Sequence, residues 1–408
     1  MSDAAAGGIE SAARPEGARP LHYPCFDGLR AIAALTIVVT HVAAATRASV
    51  EHPLGQFFAR FDIGVAIFFV ISGFLLYRPF AAAHLDGRPG PAVVAFFRRR
   101  VLRIFPAYWV VLAVALLTIS WSAGPLALVS WASLFHIYRP ETVLGAPTLV
   151  QSWSLGTEIS FYLFLPLYAA VLARIGRTAR ERLRAQLVGV VALYAVSVAF
   201  RTYALVADLP DNGTLSKWLI ANTDYFALGM VLAIARCWID RGEMPEPAFL
   251  RARFAPAVSW ALAALSFWVV STRLGLPGLL ADFTKVDQLL LQLLYGTTGF
   301  FLLVPAVFGP QDEGLVRRFL RLRVMVLLGI VSYGIYLWQY YWLTRYEGWT
   351  DSLDFNRMLL AVTTLTVATA AVSYVVVERP ALTLKTGRRR AAPARADGPD
   401  GLAPASRR

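Results

Sequence analysis

His41 and Arg30 lie eleven residues apart in the run FDGLRAIAALTIVVTHVA. An ionisable side chain inside an apolar stretch long enough to cross a bilayer is costly, so each marks a candidate functional group. On a helix, eleven residues turn through roughly 1100°, about 20° past three full turns, and rise roughly 16 Å. The two side chains therefore face the same way. One helix face offers a fixed cation at one depth and, further along, an imidazole suited to act as a base. Taken singly, Arg30 would be a snorkelling anchor and His41 a hydrogen-bonding group between helices. Their common face is what joins them.

Glu158, in WSLGTEISFYLFLPL, is the next ionisable group inside an apolar run. It is expected about one turn into the outer half of its helix, level with His41. A carboxylate there would orient the imidazole and stabilise its protonated form. The plainer role is a helix-start carboxylate favoured by the dipole. The cluster FFRRRVLRIFPAYW supplies Arg98, Arg99, Arg100 and Arg103 at the cytoplasmic start of the third apolar run. Arg99 and Arg103 are spaced i, i+4 on one face, and guanidinium forks suit phosphate. Topology anchoring explains many such clusters. In VSYGIYLWQYYW, Ser332, Tyr336 and Gln339 share a face. Asp224, with Arg201 and Asn222, adds polar groups near outer helix ends; some are expected to pair and some to line an acceptor site. Ser72 and Gly73 in FFVISGFLL read first as a packing face of small residues.

The elements that must position these groups are membrane helices. The 408 residues are 57% hydrophobic and only 16% charged, with a mean hydropathy of +0.55; a soluble chain would carry about 25% charge. Ten spans are predicted near 28–46, 62–81, 103–121, 154–173, 185–206, 217–238, 254–272, 287–308, 324–343 and 356–377. The net charge of +13 sits in short loops between these runs, where it sets topology and meets anionic lipid rather than nucleic acid. Segment 122–153 is short of a full span between Pro125 and Pro140. If it crossed, the 174–184 loop with its five arginines would face outward, against the positive-inside rule. It is therefore read as an outer loop or re-entrant element, which makes both termini cytoplasmic. Cys25 and Cys237 are read as free thiols, and no spacing suits a metal. Residues 1–22 and 381–408 read as disordered tails, the second one basic.

With these pieces in order, the chain resembles the acyltransferase 3 family of membrane proteins. The matching pieces are FDGLRAIAAL followed by His41, FFVISGFLL, RRRVLRIFPAYW, WSLGTEISFYLFLPL, SYGIYLW and the closing ERP. The resemblance covers about 26–380 and sets residues 23–380 as the acyltransferase domain, in an all-α fold. It implies transfer of an acyl group, expected to be acetyl, from acyl-CoA to a hydroxyl of a sugar-containing acceptor such as a polysaccharide, glycolipid or macrolide. It makes Arg30 and His41 the family's Arg-to-His pair and Glu158 the acid of the WSL…E…FY motif. The cluster Arg98–Arg103 would meet the CoA phosphates. Where the family often has His after YLW, this chain has Gln339, so hydrogen bonding replaces titration there. Asp224, Tyr336 and Gln339 are the expected substrate-binding residues. His41 is expected to act as general base or as acyl carrier, in a multi-pass protein of the bacterial plasma membrane. The rival reading is a proton-coupled transporter using the same Arg, His and Glu groups. No paired internal repeat supports it.

Overall fold

Apolar runs of this length have one way to satisfy their backbone polar groups in hydrocarbon, the α-helix. The computed structural model describes residues 23–119, 124–139, 149–209, 212–276, 283–347 and 354–384, and the regular elements among them are all helical. In chain order the principal helices are α1 Cys25–Ala45, α2 Gly64–Asp86, α3 Val93–Thr118, α4 Trp153–Leu172, α5 Ala179–Val206, α6 Leu219–Asp240, α7 Ala255–Thr272 and α8 Lys285–Val307. They are followed by α9 Arg323–Ile330, α10 Ser332–Glu347 and α11 Phe355–Ser373. Among the described residues nine helices are long and apolar enough to cross a membrane, or ten if α9 and α10, bent by 69°, form one span. The chain is an all-α, multi-pass membrane protein.

Helices α2 and α6 are the most buried spans and α5 the least. They cross where Gly73 meets the Phe226 carbonyl and Gly229 meets the Val70 carbonyl; a Cβ on either glycine would strike the facing backbone. Small residues allow this approach, which dispersion then stabilises. Outward-facing Leu167, Val188 and Leu360 are exposed, as a lipid-facing surface requires.

Two expectations change, and a third is met in part. Helix α3 begins at Val93, ten residues before the predicted 103, because arginine lowers hydropathy without opposing helix formation. The arginine cluster thus lies inside the helix rather than at its mouth. The ninth span is not continuous: it breaks at Val331, between α9 and α10. Irregular backbone at membrane depth is tolerated where it lines a cavity, and the residues flanking this break, Ile330 and Ser332, do so. Within 122–153, the described helix Pro125–Ala132 has eight residues, roughly 12 Å of rise against a hydrocarbon core of about 30 Å, too short to cross. The tail at 1–22, most of that at 381–408, and stretches 120–123 and 140–148 lie outside the described residues. Cys25 and Cys237 are free and buried.

Candidate functional site

Three guanidinium groups converge from two helices. Arg30 comes from the second turn of α1, where Asp27 one turn earlier holds it at 2.9 Å. Arg100 and Arg103 come from α3, on the stripe that also buries Phe96, Ile104 and Ala107. That stripe corrects the expected face: Arg100 and Arg103, at i, i+3, point inward together, whereas Arg99 lines neither cavity described below. Arg98 is turned outward and donates to the Leu384 carbonyl. The Arg100 guanidinium lies 5.5 Å from the Phe96 ring and 5.8 Å from that of Tyr162. Arg103 lies 5.7 Å from the Tyr333 ring and 3.8 Å from Glu378.

All three arginines line two voids. One is a polar vestibule of about 290 Å³, walled also by Asp27, Gly329, Ile330 and Tyr374. The other is an inner cavity of about 130 Å³ that also includes Ser72, Ser154, Glu158, Tyr162, Tyr333 and Tyr336. Gly329 permits the vestibule, since a Cβ there would collide with the Asp27 carbonyl and push α9 away from the turn that anchors Arg30. Helix α10 begins at the inner cavity with Ser332, so its positive dipole end adds to the guanidinium field.

Glu158 lies in this inner cavity. Ser72 Oγ and Tyr162 Oη each donate to its Oε1 at 2.7 Å. No hydrogen bond joins Glu158 to His41 among the described residues, which corrects the expectation that it orients the imidazole. Equal depth did not fix direction: the carboxylate shares a cavity with Arg30, at the other end of α1. Tyr336, expected to meet substrate, does line the cavity, but its hydroxyl is already engaged by Ser154 at 2.6 Å and by the Gln151 carbonyl.

His41 meets Gln339 instead, with Nδ1 3.1 Å from Oε1. This contact pairs Nδ1 and leaves Nε2 free of the Gln339 carboxamide. The Tyr340 ring packs edge-on against the imidazole at 5.3 Å. Gln339 is 1% exposed and its Nε2 has no hydrogen-bond partner among the described residues. Helix α10 thus carries Ser332, Tyr333 and Tyr336 at the cavity and Gln339 and Tyr340 a turn further on, at His41. Its Tyr336 ring meets that of Phe68 at 6.1 Å, and both line the inner cavity.

Asp224 stands apart. It is 3% exposed, bonded by Ser197 at 3.1 Å and by Gln292 at 2.9 and 2.8 Å, and lines neither cavity. The expectation that it binds substrate gives way to a closed network between α5, α6 and α8. The residues missed in the sequence are Asp27, Tyr162, Tyr333 and Glu378. Asp27 and Tyr162 were within reach, one helical turn from Arg30 and Glu158. Glu378 opens the ERP run already quoted, but its inward placement depends on a local change of helix pitch.

A family model described as an acyltransferase domain matches residues 23–378. The chain is 26% identical to the acyltransferase MdmB of Streptomyces mycarofaciens, over 91% of its own length and 94% of that protein. It is 28% identical to the exopolysaccharide production protein ExoZ of Rhizobium meliloti, over 82% and 94%. With the O-acetyltransferase OatA of Staphylococcus aureus it shares 22% identity, over 79% of its own length and half of that protein. No solved structure matches.

Proposed function

The chain belongs to the acyltransferase-domain family and is an acyltransferase; from that premise we propose that it moves an acyl group, acetyl in the first instance, from cytoplasmic acyl-CoA to a hydroxyl of a sugar-containing acceptor. The observation that carries this reading is the convergence of Arg30, Arg100 and Arg103 on a vestibule, with Arg30 on the same helix face as His41. Clustered guanidinium groups suit the phosphates of CoA. The roughly 16 Å rise from Arg30 to His41 gives the pantetheine arm a track along α1. Both chain termini, and hence the vestibule, face the cytoplasm in this reading. The acceptor class follows the relatives, whose names speak of acyl transfer and of exopolysaccharide.

The chemistry is a general-base transfer. His41 Nε2 takes the acceptor proton as the hydroxyl oxygen bonds to the thioester carbonyl carbon. Collapse of the tetrahedral adduct breaks the C–S bond, and the proton passes from the imidazolium to the leaving thiolate. Gln339 holds the ring in the tautomer this requires. Glu158 serves as the counter-charge that keeps the three arginines together before the donor arrives, with Ser72 and Tyr162 fixing it in place.

Purified protein given acetyl-CoA should release CoA thiol when a hydroxylated sugar acceptor is present. His41→Ala should lower that rate by about 10³-fold while the protein still inserts and keeps its thermal midpoint. Full activity in that variant would remove His41 from the mechanism. An acyl group found on His41 by peptide mass spectrometry would replace the general base with a covalent carrier.

A further inference from the structure

In α11 the buried positions run Met358, Val362, Thr366, Ala370 and Ser373, steps of four and three that keep to one helix face. The next is Glu378, five residues on, because residues Tyr374–Glu378 form a π-helical turn. With uniform α-helical pitch, Val377 would continue the buried stripe. A π turn shifts the phase of everything after it and is often found at functional sites. Here it delivers a carboxylate that is 2% exposed, with neither oxygen hydrogen-bonded among the described residues. Tyr374, at the start of the same turn, lines the vestibule.

The charge partner of Glu378 is Arg103, at 3.8 Å. An isolated buried carboxylate is destabilising, and a single distant cation offsets that only in part. Packing therefore does not explain why this side chain is inside. Arg103 itself remains 29% exposed on its side chain and makes no hydrogen bond among the described residues. The carboxylate stands beyond hydrogen-bond distance, so it attracts the guanidinium without occupying its donors. The Tyr333 ring flanks the same guanidinium.

We infer that Glu378 is a positioning residue, which acts through Arg103 and holds that guanidinium toward the vestibule for a phosphate of the acyl donor. The inference rests on the acyl-CoA reading above.

The test compares Glu378→Gln with wild type on two donors, acetyl-CoA and the phosphate-free thioester S-acetyl-N-acetylcysteamine. The expected result is a KM for acetyl-CoA raised about tenfold with kcat little changed, and unchanged constants for the phosphate-free donor. In an Arg103→Ala background the same substitution should add nothing. Equal losses on both donors, or a further loss in that background, overturn the inference and leave the donor reading standing. A wild-type protein that releases no thiol from acetyl-CoA overturns the donor reading, and this inference with it.

Discussion

Two clusters of buried polar groups lie in this bundle, and they differ in how completely they are satisfied. Around Asp224, each group named here has a partner. Its oxygens take bonds from Ser197 and Gln292, and Gln292 Oε1 takes one from Tyr225 at 2.7 Å. Tyr295 donates to Asp62. Arg201 bonds Asn222 Oδ1, and Asn222 Nδ2 bonds the Ser216 and Trp218 carbonyls. The void beside Arg201 holds about 10 Å³, room for one water at most. Around Arg103 the pattern reverses. That guanidinium makes no hydrogen bond among the described residues, neither oxygen of Glu378 has one, and two voids adjoin. A closed network ties helices together; an open one costs stability until a ligand completes it. Both clusters contain the residue types that chemistry uses, so type alone does not separate them.

Substitutions that treat the two clusters alike would break this contrast. The largest effect is expected in the open cluster: Arg103→Ala should lower kcat/KM for acetyl-CoA by about a hundredfold. Arg98→Ala, outside both voids, should stay near wild type. Equal losses for the two variants would mean that the cluster acts by bulk charge and not by placement. Next comes the closed cluster. Asp224→Asn should lower thermal stability in detergent by about 2 kcal/mol, while folded protein keeps its donor KM. A changed KM with unchanged stability would return Asp224 to the substrate site. The smallest is Gln339→Ala, expected to lower kcat about tenfold with donor KM held, since the ring loses its orienting partner. A raised donor KM instead would place Gln339 on substrate.

The sequence made the spans legible because hydrocarbon leaves the backbone no alternative to helix. It also made the Arg30 and His41 pair legible, since both lie on one uninterrupted helix whose period is known. What it hid are relations between helices. Arg99 and Arg100 are neighbours, and only the burial of Phe96 and Ile104 decides which one turns inward. Glu158 was assigned to His41 on depth, but depth is one coordinate and the direction around the bundle is another. The break at Val331 carries no proline, and the π turn before Arg379 falls among valines that fit either pitch. Gln339 is legible as a polar group on its helix face, but its contact with the imidazole is another relation between helices.

Arg30 and His41 belong to one helix with no proline between them, and this has a mechanical consequence. Thermal breathing of a membrane bundle slides helices past one another, and a site assembled from different helices is detuned by each slide. Here the group that would seat the donor and the group that would receive the proton travel as one stiff body. Their registry survives motions that would open the walls around them, so the interval between the two groups stays the same while the bundle breathes.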